Sequence, residues 1–254
     1  MNIHKLAFIA VAFLLSPVSL LQAETLRVAV ASNFAPIAKQ LRADFESTSS
    51  YKLIFSAGSS GVLFAQISKG APFDVFLSAD AERPKKLEQL GLVVDDSRKT
   101  YAIGQLVWWQ PDSKHLSLDS ISRYTGRLAI ANPRFAPYGQ AAMSVLARAG
   151  ATDVALVRGA NVSQTFQFVD SGNASAALVP LSLLQPLSIS QESERGQTKY
   201  QKFVRIPGSW HKAIEQQLVV VKRSKKIKAA LEFSDFLLSN ASQEKIAKLG
   251  YKSP

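Results

Sequence analysis

The apolar positions of the chain switch repeatedly between two rhythms. Residues 26–31 form a short, mostly apolar run that reads as a buried strand. From Phe34 the period changes, with Phe34, Ile37, Ala38, Leu41 and Phe45 on one helical face. Pro36 falls in the first turn, where a missing N–H costs nothing, so Ser32 or Asn33 is the expected N-cap. The switch recurs at 52–57, a strand followed by Gly58-Ser59-Ser60-Gly61 and a helix through Leu63, Phe64 and Ile67. It recurs again at 73–79, a strand leading to a helix through Leu87 and Leu90 that stops at Gly91. Further strands are expected at 105–110, 127–132, 174–179, 203–206 and 217–222. Helices are expected at 141–149, from Val162 through Phe166 and Val169, and in two closing segments, one through Ile227, Leu231, Phe236 and Leu237, the other through Ile246 and Leu249. A loop-rich stretch runs up to Arg123, and 185–199 reads as a polar surface connection.

Alternating strands and helices predict an α/β fold with predominantly parallel pairing. Strand–helix units on either side of a middle block suggest two lobes, 24–104 plus 213–254 and 105–212. Open sheets of this kind bind ligands in a crevice beyond the carboxyl ends of their strands.

The first residues add a destination. Lys5, the apolar run 6–15, the Ser16-Pro17 break and Leu21-Gln22-Ala23 make 1–23 an expected signal peptide, cleaved near Ala23. The apolar run is too short for a comfortable membrane span. The remaining 231 residues suffice for one large domain or two modest ones. The chain has no cysteine, which excludes disulfides and a lipid-bearing N-terminal thiol, so the expectation is a soluble periplasmic protein. Its formal charge is +11, or +10 without Lys5, which favours anionic partners by long-range attraction. Export argues against nucleic acid, and the basic residues are spread thinly except at 222–228. That run reads as a solvated helix start, with contact to a partner or an anionic surface as the other reading.

Candidate chemistry lies where strands hand over to helices. Ser32-Asn33, Ser59-Ser60-Gly61, Pro137-Tyr138-Gly139 and Asn161-Val162-Ser163 each leave backbone N–H groups free at a helix start. Such termini bind anions without a charged side chain. Any one of them alone reads as an ordinary cap; four in one exported chain suggest a shared oxyanion site. Gly58-Ser59-Ser60-Gly61 is neither a Walker loop nor a Gly-x-Ser-x-Gly elbow.

An enzyme is the competing class. His115 and His211 have no nucleophile or metal spacing and read as surface or capping residues. Asp74 and Asp80 flank one strand and could form a carboxylate pair, but the first reads as a strand-start residue and the second as a helix-start residue. Arg134 is the one arginine near a helix start and reads as a cleft-rim or surface residue. Trp108-Trp109 reads as packing in the core and lobe junction.

Several stretches carry a family resemblance: 28–34 (VAVASNF), 56–61 (SAGSSG), 70–80 (GAPFDVFLSAD), 132–139 (NPRFAPYG) and the ending Leu249-Gly250-Tyr251. In this order and spacing the chain resembles the periplasmic molybdate-binding proteins of ABC transporters over nearly its whole length. The resemblance implies a two-lobed, type II periplasmic-binding-protein fold with molybdate or tungstate in the inter-lobe cleft. It implies no catalysis, no cofactor, no direct ligand to molybdenum, a membrane permease as partner and a monomeric state. By position, Ser32 and Ser60 match the family's hydroxyl donors, while Tyr138 and Val162 match positions that donate backbone N–H groups. Many relatives place a donating tyrosine where this chain has Pro180, which has no proton to donate. Either a donor is lost there or the side-chain amide of Asn33, beside Ser32, supplies it instead, the second being the expected replacement. The same fold could instead hold sulfate, thiosulfate or phosphate, and a secreted hydrolase is a further alternative.

Overall fold

A computed structural model describes residues 24–151, 153–190 and 198–254. The expected signal peptide, 1–23, lies outside the described residues, as do 191–197 of the expected polar connection. In chain order the first elements are β1 (Thr25–Ala31), α1 (Ala35–Thr48), β2 (Lys52–Gly58), α2 (Ser60–Ser68), β3 (Val75–Leu77), α3 (Glu82–Gln89) and β4 (Lys99–Gly104). Next come β5 (Leu106–Trp109), α4 (Asp119–Ser122), β6 (Arg127–Ala131), α5 (Pro137–Ala149), β7 (Ala155–Gly159), α6 (Val162–Asp170), β8 (Ala176–Pro180), α7 (Leu181–Ser190) and β9 (Phe203–Arg205). The chain closes with β10 (Ile214–Val220), α8 (Ile227–Leu238) and α9 (Asn240–Lys248).

These strands form two five-stranded sheets, ordered β2-β1-β3-β10-β4 and β7-β6-β8-β5-β9. Each is covered on both faces, as the near-continuous apolar strands require. On β1, Val28 and Val30 pack against Ile37, Leu41 and Phe45 of α1. Ala29 turns the other way, toward Leu63, Ile67 and Leu87. On β5, Trp108 and Trp109 likewise point to opposite faces of the second sheet. Trp109 stacks on Phe166 with ring centroids 5.0 Å apart and donates from Nε1 to the Lys199 carbonyl over 2.9 Å. Both tryptophans are core residues.

The expectation of predominantly parallel pairing needs correction. β1 runs parallel to β2 and β3, and β6 runs parallel to β7 and β8. β10 is antiparallel to β3 and β4, and β5 is antiparallel to β8 and β9. The cause is the pair of crossings between sheets, at β4 to β5 and at β9 to β10. A strand that re-enters its sheet from the cleft end must run against those that lead toward the cleft.

Three other expectations change. β4, with Tyr101, Ala102 and Gly104 buried, is a strand that the hydrophobic pattern does not predict. The first part of the expected polar connection, 185–190, is helical: it belongs to α7, which holds Pro186 within it because Leu181 and Leu184 bury against Val179 and Tyr200. Finally, neither Ser32 nor Asn33 caps α1, whose N-cap is Phe34 with no side-chain cap.

Candidate functional site

Strand register brings the helix starts together. Ala31 ends β1 opposite Gly58 at the end of β2, and Ser32 N–H donates to the Gly58 carbonyl over 2.9 Å. The second lobe repeats this arrangement. Ala131 ends β6 opposite Gly159 at the end of β7, and Asn132 N–H donates to the Gly159 carbonyl over 2.8 Å. Helices α1 and α2 therefore begin side by side, as do α5 and α6, and the two pairs face one another.

Ser32, Asn33, Ser60, Tyr138 and Val162 line a single cavity between them. It offers only about 10 Å³ to the centre of a water-sized sphere. That is about the room of one water molecule, far below a sugar or peptide site. Among the described residues, no charged side chain lines it. Among the described residues, the amides of Asn33, Ser60, Tyr138 and Val162 donate to no backbone carbonyl, as expected of helix starts. Each helix start carries roughly half a unit of positive charge. Four together offer on the order of +2.

The hydroxyls differ in what they can do. Ser60 Oγ is buried and accepts from the Ala79 N–H at 2.9 Å, so one lone pair is occupied while its proton is free for another acceptor. Ser59, also on the cavity wall, has a buried Oγ with no partner among the described residues. The tandem serines of Gly58-Ser59-Ser60-Gly61 were visible in sequence, but nothing there showed that the first is an orphan. Asn161 is a true cap, its Oδ1 accepting from Gln164 N–H at 3.0 Å, which leaves the next residue, Val162, to present a free amide.

One side chain departs from expectation. Asn33 Nδ2 donates to Gln216 Oε1 at 2.9 Å and to Tyr251 Oη at 2.7 Å, so both amide hydrogens are spent inside the protein. Asn33 thus faces the cavity with its backbone N–H, and its amide does not replace the donor missing at Pro180. Tyr138 turns its side chain into the protein as well. Its ring is buried, and its hydroxyl accepts from Gln216 Nε2 at 3.1 Å. Burial pushes the phenols of Tyr101, Tyr138 and Tyr251 well above the usual tyrosine range, which keeps all three neutral.

The walls meet directly. Gly61 N–H donates to the Phe135 carbonyl over 2.9 Å, and Ser163 Oγ donates to the Ser32 carbonyl over 3.3 Å, so the lobes are closed on the cavity. A larger neighbouring cavity of about 200 Å³ is lined by Asp80, Glu82 and Glu215 against the single cation Lys212, a poor host for an anion.

The remaining candidates are structural. Asp74 accepts from Arg27 N–H at 2.7 Å and from Ser224 Oγ at 2.6 Å, tying strand ends together. Asp80 accepts from Arg83 N–H at 3.0 Å at the start of α3 and pairs with the Arg83 guanidinium. Arg134 is exposed, with its guanidinium 5.4 Å from the centre of the Phe135 ring. His211 Nδ1 lies 2.8 Å from the Lys212 carbonyl oxygen. Among the described residues there is no cluster of metal-ligating side chains. The basic run leads into α8, with Lys226 at its N-cap.

Comparison with known proteins agrees with this architecture. Residues 26–252 match the family model described as bacterial extracellular solute-binding protein. The chain is 37% identical over 236 residues to the molybdate-binding protein ModA of Azotobacter vinelandii, covering 91% of this chain and 90% of that one. It is 36% identical over 228 residues to ModA of Rhodobacter capsulatus, covering 88% and 86%. The solved structure of an Azotobacter vinelandii periplasmic molybdate-binding protein superposes with a TM-score of 0.82 at 30% identity, covering 90% of this chain and 99% of that one. A closed two-lobed α/β fold, four helix starts around one uncharged cavity and this degree of identity agree: the chain belongs to the ModA family of bacterial extracellular solute-binding proteins.

Proposed function

We propose that this protein captures molybdate, or tungstate, in the periplasm and delivers it to an ABC permease. Ser32, Asn33, Ser60, Tyr138 and Val162 would hold the oxyanion. The observation that carries this reading is the set of four amides, two from each lobe, around one small cavity without charged side chains. Molybdenum enters only as the centre of the bound ion, and no protein atom ligates it.

The donor chemistry explains the choice of ion. Backbone N–H groups can only donate, so an anion that must itself donate a proton, such as hydrogenphosphate, finds no acceptor among the four amides and is disfavoured. Sulfate carries no such proton and is excluded by size. The longer metal–oxygen bonds of molybdate reach donors that the smaller ion leaves stranded. An ion bridging both lobes stabilises the closed form relative to the open one, and the permease would read that closed shape. In this reading the protein is a monomer with lobes 24–104 plus 213–254 and 105–212, exported by a signal peptide cleaved near Ala23.

Calorimetric titration with molybdate, tungstate, sulfate and phosphate tests the proposal. One molybdate or tungstate per chain is expected, with sulfate at least about tenfold weaker and phosphate silent. Absence of binding by both metal oxyanions, or a preference for sulfate or phosphate, would overturn it.

A further inference from the structure

Beneath the cavity lies a side chain that touches elements of both lobes. Gln216, on β10, is fully buried. Its Oε1 accepts from Asn33 Nδ2 at 2.9 Å and from Tyr101 Oη at 3.1 Å, while its Nε2 donates to Tyr138 Oη at 3.1 Å. The orientation of the amide follows from its partners. Reversing it would set Nε2 against the Asn33 Nδ2 donor and leave that pair without an acceptor.

The backbone is shaped to deliver this side chain. Where β10 pairs with β4, Gln216 lies opposite Ala102 and Gln217 opposite Thr100, so Tyr101 is the extra residue of a bulge. Bulges re-aim side chains, and here the extra residue places its hydroxyl on Gln216. Gly104, at the crossing between lobes, makes room. A Cβ there would lie 2.2 Å from Tyr138 Oη and 2.9 Å from Gln216 Nε2. Tyr251 completes the cluster, accepting from Asn33 Nδ2 and donating to the Asn33 carbonyl at 3.1 Å.

Asn33 and Tyr138 are also among the residues whose free amides enter the cavity, one from each lobe. We propose that Gln216 is a specificity-determining positioning residue, which sets the spacing between first-lobe and second-lobe donors and hence the size of tetrahedral oxyanion the closed site accepts. This inference rests on the reading of the cavity as the oxyanion site. Selection by size needs donors that cannot follow a smaller ion inward, and a buried, fully engaged amide between the two donor segments resists that collapse.

The test compares molybdate and sulfate affinities by calorimetry in the full protein and in Gln216→Leu, Tyr138→Phe and the double variant. Tyr138→Phe keeps the backbone N–H and removes only the hydroxyl that Gln216 holds. In both single variants the molybdate-to-sulfate affinity ratio is expected to fall about tenfold, with the double variant no worse than either. A side chain that merely supports the fold would lower the melting temperature and leave that ratio unchanged, which would overturn the proposal, as would additive effects. Should Gln216→Leu fail to fold, the ratio in Tyr138→Phe decides alone. Failure of the unaltered protein to bind molybdate would instead refute the site itself, a distinct result.

Discussion

The Gly61 N–H and the Phe135 carbonyl meet at 2.9 Å across the cleft, joining the start of α2 to the segment that leads into α5. A Cβ on Gly61 would come within 3.0 Å of that carbonyl oxygen and 3.1 Å of Phe135 Cα, both backbone atoms with little freedom to yield. The contact lies beside the cavity and closes it without using the ligand's own donors. Gly61→Ala is therefore expected to speed molybdate release by about tenfold while changing its association rate little, as measured by stopped-flow fluorescence. An unchanged release rate would show that the contact does not hold the closed form.

Ser60 contributes differently, through a proton that Ala79 leaves free by occupying the oxygen's lone pair. A hydrogen bond to a charged group contributes about 1.5–3 kcal/mol. Ser60→Ala should thus weaken molybdate binding by about 10- to 100-fold in calorimetry, with the ligand-free protein still folded by circular dichroism. Undiminished affinity would remove Ser60 from the site.

The three buried phenols predict how stability depends on pH. Tyr101, Tyr138 and Tyr251 have their ionisation raised by burial, so the folded state disfavours the phenolate that the unfolded chain forms freely near pH 10. Their contribution is fully present below that pH and is lost as pH rises above it, toward the folded-state values. Denaturant midpoints should show no tyrosine-linked loss between pH 7 and pH 9 and should fall steeply above about pH 10. The Tyr138→Phe variant should show a shallower alkaline loss. An identical alkaline slope would show that Tyr138 titrates normally.

Asp74 offers a contrast, because its carboxylate is engaged by Arg27 N–H and Ser224 Oγ and does not line the cavity. Asp74→Ala should cost about 1–3 kcal/mol of stability by stranding those donors, and leave molybdate affinity unchanged. A large loss of affinity without a loss of stability would give the carboxylate a role in binding.

Local chemistry made much of the site legible in the sequence. A strand that ends in Ser32-Asn33 or runs into Gly58-Ser59-Ser60-Gly61 announces a helix start within a few residues, and strand register then brings such starts side by side. Long-range partners were not legible. Asn33 looked like a cap or a ligand-facing amide, yet its partners lie 183 and 218 positions away at Gln216 and Tyr251. No periodicity marks Gln216, flanked by Glu215 and Gln217 in the same strand, as the link between two lobes. The mixed pairing of the sheets was hidden for a similar reason, since β10 returns from the other lobe and its direction depends on that crossing. The helix around Pro186 was obscured by local rules, because its burial against Val179 and Tyr200 outweighs the proline.

The central claim is that neutral donors at four helix starts hold a metal-centred tetrahedron. Anomalous diffraction at the molybdenum edge from crystals grown with molybdate tests it most directly. The account predicts a single strong peak enclosed by Ser32, Asn33, Ser60, Tyr138 and Val162, with ion oxygens about 2.7–3.2 Å from their N–H groups and from the serine hydroxyls. A peak among the carboxylates of the neighbouring cavity, or none within reach of those amides, would contradict it.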